Sequence, residues 1–569
     1  MFGFIGAVNC SIDFNELVSK SHPDFISRSF KENKFSCNDL KIVQKTINKF
    51  ENDKVFCEDS FYFICIEGVI YNSINICEKY KSLEEALLSR LHQNGISSLS
   101  DLDGVFCAVV FDKMKNKIYL FSDHTAMKSL FYYVSGNKVI FSTDYVWLID
   151  SIKKDSCFNL KLSRTGAYCL LSYGYMLDEY TLADNVYKVL PGQVIEIVDE
   201  KVNKTQYYDY TNIKQISAEY DELLDTANTK FTNAIRKIYS KDDEYGYKHV
   251  CTLSGGLDSR SILFTSYELG YTNQLTLTMS EDGTLDQKIS QRIASDLNVE
   301  NFFYLLNGGN YLKSIDYAID ENGGIVTYQG LLHSDRLFSL VNLSKYGAIH
   351  SGEIGDAIFG GHPLMEYKLK ARAEDGAFSK LLINKVPKEA TEKAVKRCGT
   401  TYMFFLLERG FNSTVNGWYS ATPYTEYTSA FLDKDFITFI LSVPDEYRAN
   451  SNFYINWMKK YHPKMCQYKW ERTNSLPDSG KLGRAIGRAT RSFEVKILKK
   501  HYDMNPYELW LNNTPGLRNY LNEYYKTYRM CINNPDIRRD ADYLYKKGSD
   551  REKFQALTLV GSARRFGYT

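Results

Sequence analysis

The chain has 569 residues, 44% of them hydrophobic and 14% aromatic, with 70 Lys plus Arg against 69 Asp plus Glu. That length exceeds one ordinary hydrophobic core, so two or more domains are expected, and the composition excludes a disordered or low-complexity protein. The even charge balance excludes a global field that would draw nucleic acid or an anionic membrane. The longest apolar runs, such as residues 105–111, are far too short to cross a bilayer, and the first ten residues lack the regions of a signal peptide. The 12 cysteines are scattered without CxxC or metal-site spacing and read as buried thiols. A cytoplasmic protein with no nucleic-acid partner and no membrane partner is expected.

Up to about residue 210 the pattern is strand-rich. Residues 61–69, 104–112, 117–121 and 138–142 read as β-strands, and residues 83–91 as an amphipathic helix. Leu190-Pro191-Gly192-Gln193 is a turn leading into an alternating strand at 194–198. From about residue 215, helical stretches alternate with short apolar runs at 250–253, 274–279, 302–306 and 348–350. Such alternation argues for a parallel α/β sheet with ligands at the carboxyl ends of its strands. Beyond about residue 365 the chain reads as mostly helical. These changes divide it into residues 1–210 and 211–569.

After the 250–253 run comes Ser254-Gly255-Gly256-Leu257-Asp258-Ser259, then a helix-like stretch. Gly255 and Gly256 let the backbone approach a ligand, and the free N–H groups of a first helical turn point at an anion. Ser254 and Ser259 add donors. Asp258 would repel bare phosphate, so its presence makes sense if it holds a Mg2+ that bridges phosphate oxygens. A glycine turn alone is usually only a turn, but this string sits between strand and helix and lacks the Gly-Lys-Ser/Thr ending of a Walker loop. It resembles the PP-loop of the ATP pyrophosphatases, which implies chemistry at the α-phosphate of ATP with pyrophosphate as the departing group.

The run Ser351-Gly352-Glu353-Ile354-Gly355-Asp356-Ala357-Ile358-Phe359-Gly360-Gly361 follows another apolar strand. Its two carboxylates can face one cavity, with glycines keeping bulk away; a solvated turn is the plain alternative. Taken with the PP-loop-like string and the Leu190–Gln193 turn, this run resembles the asparagine synthetase family. Asp103-Gly104-Val105-Phe106 and Phe141-Ser142-Thr143-Asp144 are similar to blocks of that family's glutaminase-type domain. The resemblance covers almost the whole chain. It implies an α/β protein: an N-terminal Ntn-type αββα sandwich, then an adenine-nucleotide α-hydrolase-like parallel α/β domain with a helical C-terminal region.

Several positions depart from the family pattern. Active members carry a cysteine nucleophile directly after the initiator Met, where this chain has Phe2. The family's Asn-Gly oxyanion hole corresponds to Glu67-Gly68, which puts negative charge where an oxyanion must form. Leu83 stands where an acid grips glutamine, and no RGPD segment is present. Cys10 is a candidate substitute nucleophile, with a packed thiol as its alternative. The departures imply an N-terminal domain without glutaminase activity. They point to chemistry like that of β-lactam synthetase, lasso-peptide cyclase or sugar-acid amidating relatives: a carboxylate is adenylated, then captured by an amine or free ammonia. Glutamine-dependent asparagine synthesis, intramolecular ring closure and a non-catalytic ATP-binding scaffold remain alternatives.

The same resemblance assigns residues. Main chain at Thr252 and Met279 would read adenine. Ser254, Gly256, Asp258 and Ser259 would hold the β- and γ-phosphates, with Gly255 completing the loop and Gly352 N–H against AMP. Asp258 and Asp356 would ligate Mg2+. Glu353 is the candidate base for the incoming amine, its pKa raised by burial and by Asp356, with a loop-shaping acceptor as the alternative. No lysine stands in register within residues 470–477 to stabilise the acyl-adenylate, which leaves Arg472 and Lys481 as candidates. Asp286 is either a group that supports the site from behind or on its ribose side, or a helix N-cap. Residues 464–500 hold ten Lys/Arg against three acids, and Arg484, Arg488 and Arg491 share a helical face, read as solvated or as a guide for ATP. The expected partners are a small-molecule or peptide carboxylate and an amine; a homodimer is left open.

Overall fold

The computed structural model describes residues 2–10, 30–155, 159–497 and 503–569. The N-terminal half contains strands β1 (Gly3–Val8), β2 (Phe30–Cys37), β3 (Leu40–Ile47), β4 (Phe56–Glu58), β5 (Tyr62–Ile70) and β6 (Gly104–Asp112). It continues with β7 (Lys117–Ser122), β8 (Phe131–Ser135), β9 (Lys138–Ser142), β10 (Val186–Lys188), β11 (Gln193–Val198) and β12 (Lys201–Gln206). They form two six-stranded sheets, ordered β10-β8-β9-β1-β3-β2 and β12-β11-β7-β6-β5-β4, in which neighbouring strands run antiparallel.

The two-residue period of β6 builds the layers. Cys107, Val109 and Phe111 enter the core between the sheets beside Phe4, Ile42 and Phe141. Phe106, Ala108 and Val110 point the other way, onto Leu87 and Leu91 of helix Leu83–Asn94. That helix starts where Ser82 accepts the Glu85 N–H at 3.2 Å, with Glu84 and Glu85 favouring its positive end. On the far side, Val146 and Ile149 of helix Tyr145–Lys154 share a core with Ile5, Ala7 and Ile140. The result is an αββα sandwich of the Ntn type.

The second half carries β13 (Lys248–Thr252), β14 (Gln274–Ser280), β15 (Glu300–Leu305), β16 (Tyr346–His350) and β17 (Tyr427–Thr428) in a parallel sheet ordered β15-β14-β13-β16-β17. The order reverses between β13 and β16, and open α/β sheets bind ligands beyond the carboxyl ends of the strands at such a switch point. Asp242, on helix Tyr220–Glu244, ties the two strands together. Its Oδ2 is hydrogen-bonded to His350 Nε2 at 2.8 Å and His249 Nδ1 at 3.2 Å, and its Oδ1 accepts the Ala348 N–H at 3.0 Å. A Cβ at residue 347 would collide with that carboxylate, so the approach requires Gly347.

Beyond β16 the chain is mostly helical apart from the short edge strand β17. The last helix, Asp550–Phe566, returns to the N-terminal sandwich, where Arg565 pairs with Asp150 at 2.8 Å. Among the described residues no helix is long and apolar enough to cross a membrane, and the described cysteines are free thiols.

Candidate functional site

The loop after β13 is held in shape before any ligand arrives. Ser259 Oγ accepts the Ser254 N–H at 3.0 Å, and the two serine hydroxyls lie 3.0 Å apart. Ser254 Oγ accepts the Gly256 N–H at 3.2 Å, and Gly256 opens helix Leu257–Glu268 without a side-chain cap, leaving first-turn donors directed at the loop. Gly255 N–H donates to Asp286 Oδ1 at 2.8 Å. Of the two readings of Asp286 the N-cap is set aside, since Thr284 caps helix Leu285–Leu297; Asp286 is buried and braces the glycine turn, as a supporting group would. Thr252 and Met279 lie half-buried near the carboxyl ends of adjacent strands, where Leu253 N–H already donates to Leu277 O at 2.8 Å.

The loop after β16 meets the first one side on. Asp356 N–H donates to Asp258 Oδ2 at 2.9 Å, and the Tyr454 hydroxyl donates to Asp258 Oδ1 at 3.0 Å. A Cβ at Gly352 would collide with the Ser259 nitrogen and the Asp258 carbonyl carbon, and one at Gly355 would sit 2.8 Å from Asp258 Cγ. The glycines of the second motif are therefore what lets the two loops touch. Between them, Ile354 adopts φ 51°, ψ 18°, a left-handed conformation costing a β-branched residue about 1–3 kcal/mol. Burial, then the charge of Asp356, holds the Asp258 carboxyl well above the usual carboxylate range.

A third carboxylate joins them. Glu471 N–H reaches Gly255 O at 3.4 Å, and burial followed by the Asp286 charge pushes Glu471 up to about 7. Its Oε2 has no hydrogen-bond partner among the described residues. Buried Arg260 fixes this segment against the first loop, its guanidinium donating to the carbonyls of Gly255 (3.1 Å), Met465 (2.9 Å), Tyr468 (3.1 Å) and Lys469 (2.8 Å). Arg472 then comes within 3.6 Å of Asp356, both side chains half-exposed, so the pair is weak. Lys481 lies in the first turn of helix Gly480–Lys496, next along the chain. The acids here outnumber the cations beside them, and the glycines leave room at the loops. Both features fit a divalent cation shared with phosphate.

Glu353 accepts a hydrogen bond from the Tyr427 hydroxyl at 3.2 Å, and its carbonyl accepts one from Ser429 Oγ at 3.4 Å. Burial pushes its carboxyl up to about 7, against the opposing pull of Tyr427. The expected contribution from Asp356 falls on Asp258 instead. Arg484, Arg488 and Arg491 do not make one solvated face either. Arg484 donates to Pro477 O at 3.0 Å and Arg491 to Arg472 O at 3.2 Å, so two of the three are turned onto the 472–477 turn.

The N-terminal half shows what stands at the departures. Phe2 is buried with Ile47, Phe30 and Tyr424. Cys10 lies past the opposite end of β1, about 20 Å away by strand rise, its thiol donating to Val8 O at 3.1 Å. Leu83 packs in the apolar layer beneath its helix rather than facing a cavity. Glu67 is buried, accepting from Thr46 Oγ1 at 2.9 Å and Gln44 Nε2 at 3.1 Å, and pairs with Lys54 at 3.4 Å. Lys54 continues to Glu426 at 3.1 Å, and Glu426 to Lys128 at 2.7 Å. This chain of buried charges crosses from the sandwich to the residue next to Tyr427. Glu426, Tyr427, Tyr454 and Arg260 carry no motif, and their part in the site had no signal in the sequence.

Residues 45–208 match the glutamine amidotransferase domain family, and residues 228–418 match asparagine synthase. Putative glutamine-hydrolysing asparagine synthetase 2 of Methanocaldococcus jannaschii is 24% identical over 337 residues, 55% of this chain and 62% of that protein. Glutamine-hydrolysing asparagine synthetase 1 of Bacillus subtilis is 21% identical over 55% of this chain and 50% of its own length. The chain thus spans half to three-fifths of these curated relatives. The Gallus gallus asparagine synthetase is 23% identical over 73% of this chain and 70% of its own. The solved glutamine phosphoribosylpyrophosphate amidotransferase from B. subtilis aligns over 53% of this chain and 75% of its own at 11% identity, with a TM-score of 0.23, a likeness too slight to bear on the fold.

Proposed function

This chain belongs to the asparagine synthetase family, and from that membership we propose that it is an ATP- and Mg2+-dependent carbon–nitrogen ligase. It activates a substrate carboxylate as the adenylate, releases pyrophosphate, and passes the acyl group to an amine or free ammonia from solution. The observation that carries this reading is the contact of Asp356 N–H with Asp258 Oδ2 at the switch point between β13 and β16.

The hydroxyls of Ser254 and Ser259 and the first-turn N–H groups of helix Leu257–Glu268 bind phosphate oxygens. Asp258 and Asp356 hold the cation, which when bound supplies neutralisation of phosphate charge as pyrophosphate departs. Arg472, beside Asp356, stabilises negative charge on the activated acyl group, with Lys481 following it in the chain. Glu353, poised at about 7, accepts a proton from the incoming ammonium or alkylammonium, which must lose it to become nucleophilic.

The amine comes from outside because the N-terminal half has no means to make it. Phe2 offers no nucleophile, and the Glu67 carboxylate is held in place by Lys54, Thr46 and Gln44. Residues 1–210 then serve as a support for the synthetase half, residues 211–569. ATP–pyrophosphate exchange in the presence of candidate carboxylates tests the first half-reaction; no exchange with any carboxylate, alongside tight ATP binding, would leave the scaffold reading in its place.

A further inference from the structure

Strands β13 and β16 carry the two loops of the candidate site, and behind those loops they meet in a cluster that the ligase chemistry does not use. Asp242 Oδ2 lies 2.8 Å from His350 Nε2 and 3.2 Å from His249 Nδ1. One ligand atom from each residue lies within 4.8 Å of the other two, and all three residues are buried. Two imidazole nitrogens thus converge on one carboxylate oxygen. Donor atoms bound about 2.0–2.1 Å from a tetrahedral Zn2+ sit about 3.3 Å from one another, close to this spacing. The strand makes room for the convergence. Between the pairs Lys248–Tyr346 and Val250–Ile349, β16 has one residue more than β13, a bulge at Gly347 and Ala348. There Ala348 N–H donates to Asp242 Oδ1 at 3.0 Å, and a Cβ at Gly347 would lie 1.9 Å from that oxygen.

Proton counting separates a metal site from a hydrogen-bonded brace. His249 faces carboxylates through both ring nitrogens, Nδ1 toward Asp242 and Nε2 at 3.2 Å from Asp243 Oδ1. A neutral imidazole has one N–H, so one of its nitrogens turns a lone pair on an anion. A metal ion at Nδ1 uses that lone pair and leaves Nε2–H for Asp243, the carboxylate–histidine–metal arrangement. His350 then carries its proton at Nδ1, which has no hydrogen-bond partner among the described residues. That penalty is small beside the free energy of binding Zn2+. Tyr239 holds the His350 ring instead, stacked on it with centroids 4.0 Å apart.

We propose that Asp242, His249 and His350 bind one divalent transition-metal ion of the zinc class, with water completing its coordination. Imidazole donors select Zn2+ over Mg2+, which takes oxygen ligands. His249 keeps 8% of its surface exposed and lines an open cavity of about 530 Å3 with Asp243, Tyr247 and Tyr271, a way in for ion and water. Asp242 and His350 are closed off from solvent, so the ion clamps the fold and does not react with a substrate. His350 adjoins Ser351, and His249 stands five residues before Ser254, so the clamp holds the roots of both loops. It is separate from the cation that Asp258 and Asp356 would share with phosphate.

Metal titration of the untagged full chain tests the proposal, after chelator treatment and in excess Mg2+ to fill oxygen-only sites. Co2+ is expected to bind at one per chain with the intense visible absorption of a four-coordinate ion, and Zn2+ should displace it. Zn2+ should also raise the melting temperature. His249→Gln should weaken Co2+ binding about a hundredfold or more. Asp243→Asn changes an exposed side chain, keeps all three ligands and should weaken it about tenfold. If His249→Gln does not fold, the parent and Asp243→Asn decide the matter. The proposal is overturned, in favour of a hydrogen-bonded brace, if the parent takes up no stoichiometric Co2+. Parent-like affinity in Asp243→Asn and in any folded His249→Gln, or a six-coordinate Co2+ spectrum, would overturn it in favour of binding elsewhere on the chain.

Discussion

Glu353 and Tyr427 meet across 74 residues of chain, the phenol donating to the carboxylate at 3.2 Å. Burial raises the Glu353 pKa to about 7 and this hydrogen bond draws it down. A carboxyl with a raised folded pKa is neutral below that value and a base above it. Its stabilising contribution is present below the unfolded pKa of about 4.3 and lost as pH rises to about 7. Amide formation should therefore rise with pH through about 7. Tyr427→Phe should move that limb upward. Glu353→Gln should remove it, cutting amide formation about 10²–10⁴-fold while sparing ATP–pyrophosphate exchange. The pH–rate profile and the exchange assay read the two halves separately.

Asp258 is buried beside Asp356 with its pKa raised well above the usual range, so its ionised form costs the empty fold stability as pH rises through the carboxylate range and beyond. Asp258→Asn should then unfold at the same temperature as the parent or higher in the absence of nucleotide. The parent's melting temperature should rise with ATP and Mg2+, and the variant's should not. Turnover of ATP should fall on the order of a hundredfold or more. Calorimetry with and without ATP and Mg2+ checks both.

The charge chain from Glu67 to Lys128 predicts an acid-sensitive domain contact. Burial alone would raise Glu426, but Lys128 and then Lys54 outweigh it and hold it at about 2. With a folded pKa below the unfolded value of about 4.3, its contribution is full above that pH and lost as pH falls toward about 2. Lys128→Met leaves Glu426 buried with one cation fewer and should cost about 3–5 kcal/mol. Urea unfolding from pH 7 to pH 3 should show a steep loss in the parent and a flatter one in the variant.

Installing the missing nucleophile should not revive the N-terminal half. Phe2→Cys places a thiol at the start of β1, yet Glu67 keeps its place and its partners Lys54, Thr46 and Gln44. Glutamate release from glutamine should stay at background in Phe2→Cys. Release at a rate matching amide formation would show that the pocket remains competent.

The strands and loops that could be read from sequence share a physical reason. β13, β14 and β16 are short apolar runs, buried on both faces, and β13 and β16 each end in a glycine motif. β2 hid because Phe30–Cys37 is an exposed, lysine-bearing edge strand, and β3 because Gln44, Lys45 and Thr46 are buried polar residues that break the apolar pattern. β17 has two residues and no periodicity to find. In the site, Ser254, Gly256, Asp258, Gly352 and Asp356 were legible because each motif is local. Tyr427 and Tyr454 were not, because their contacts span 74 and 196 residues of sequence, and Asp286 was singled out but its partner Gly255, 31 residues away, was not. Helix Gly480–Lys496 was legible only as a helix with arginines on one face; which side faced the protein was set by Gly487 and the turn beneath it.

The most direct test of a ligase that draws its amine from solution is the nitrogen source that drives pyrophosphate release from ATP. The purified full chain is given ATP, Mg2+ and a carboxylate that supports exchange, with either glutamine or an ammonium or amine donor, and pyrophosphate, AMP and glutamate are measured together. The expected result is pyrophosphate and AMP in equal amounts with ammonium or amine, and neither turnover nor glutamate with glutamine. Glutamine-driven pyrophosphate release with matching glutamate would contradict it.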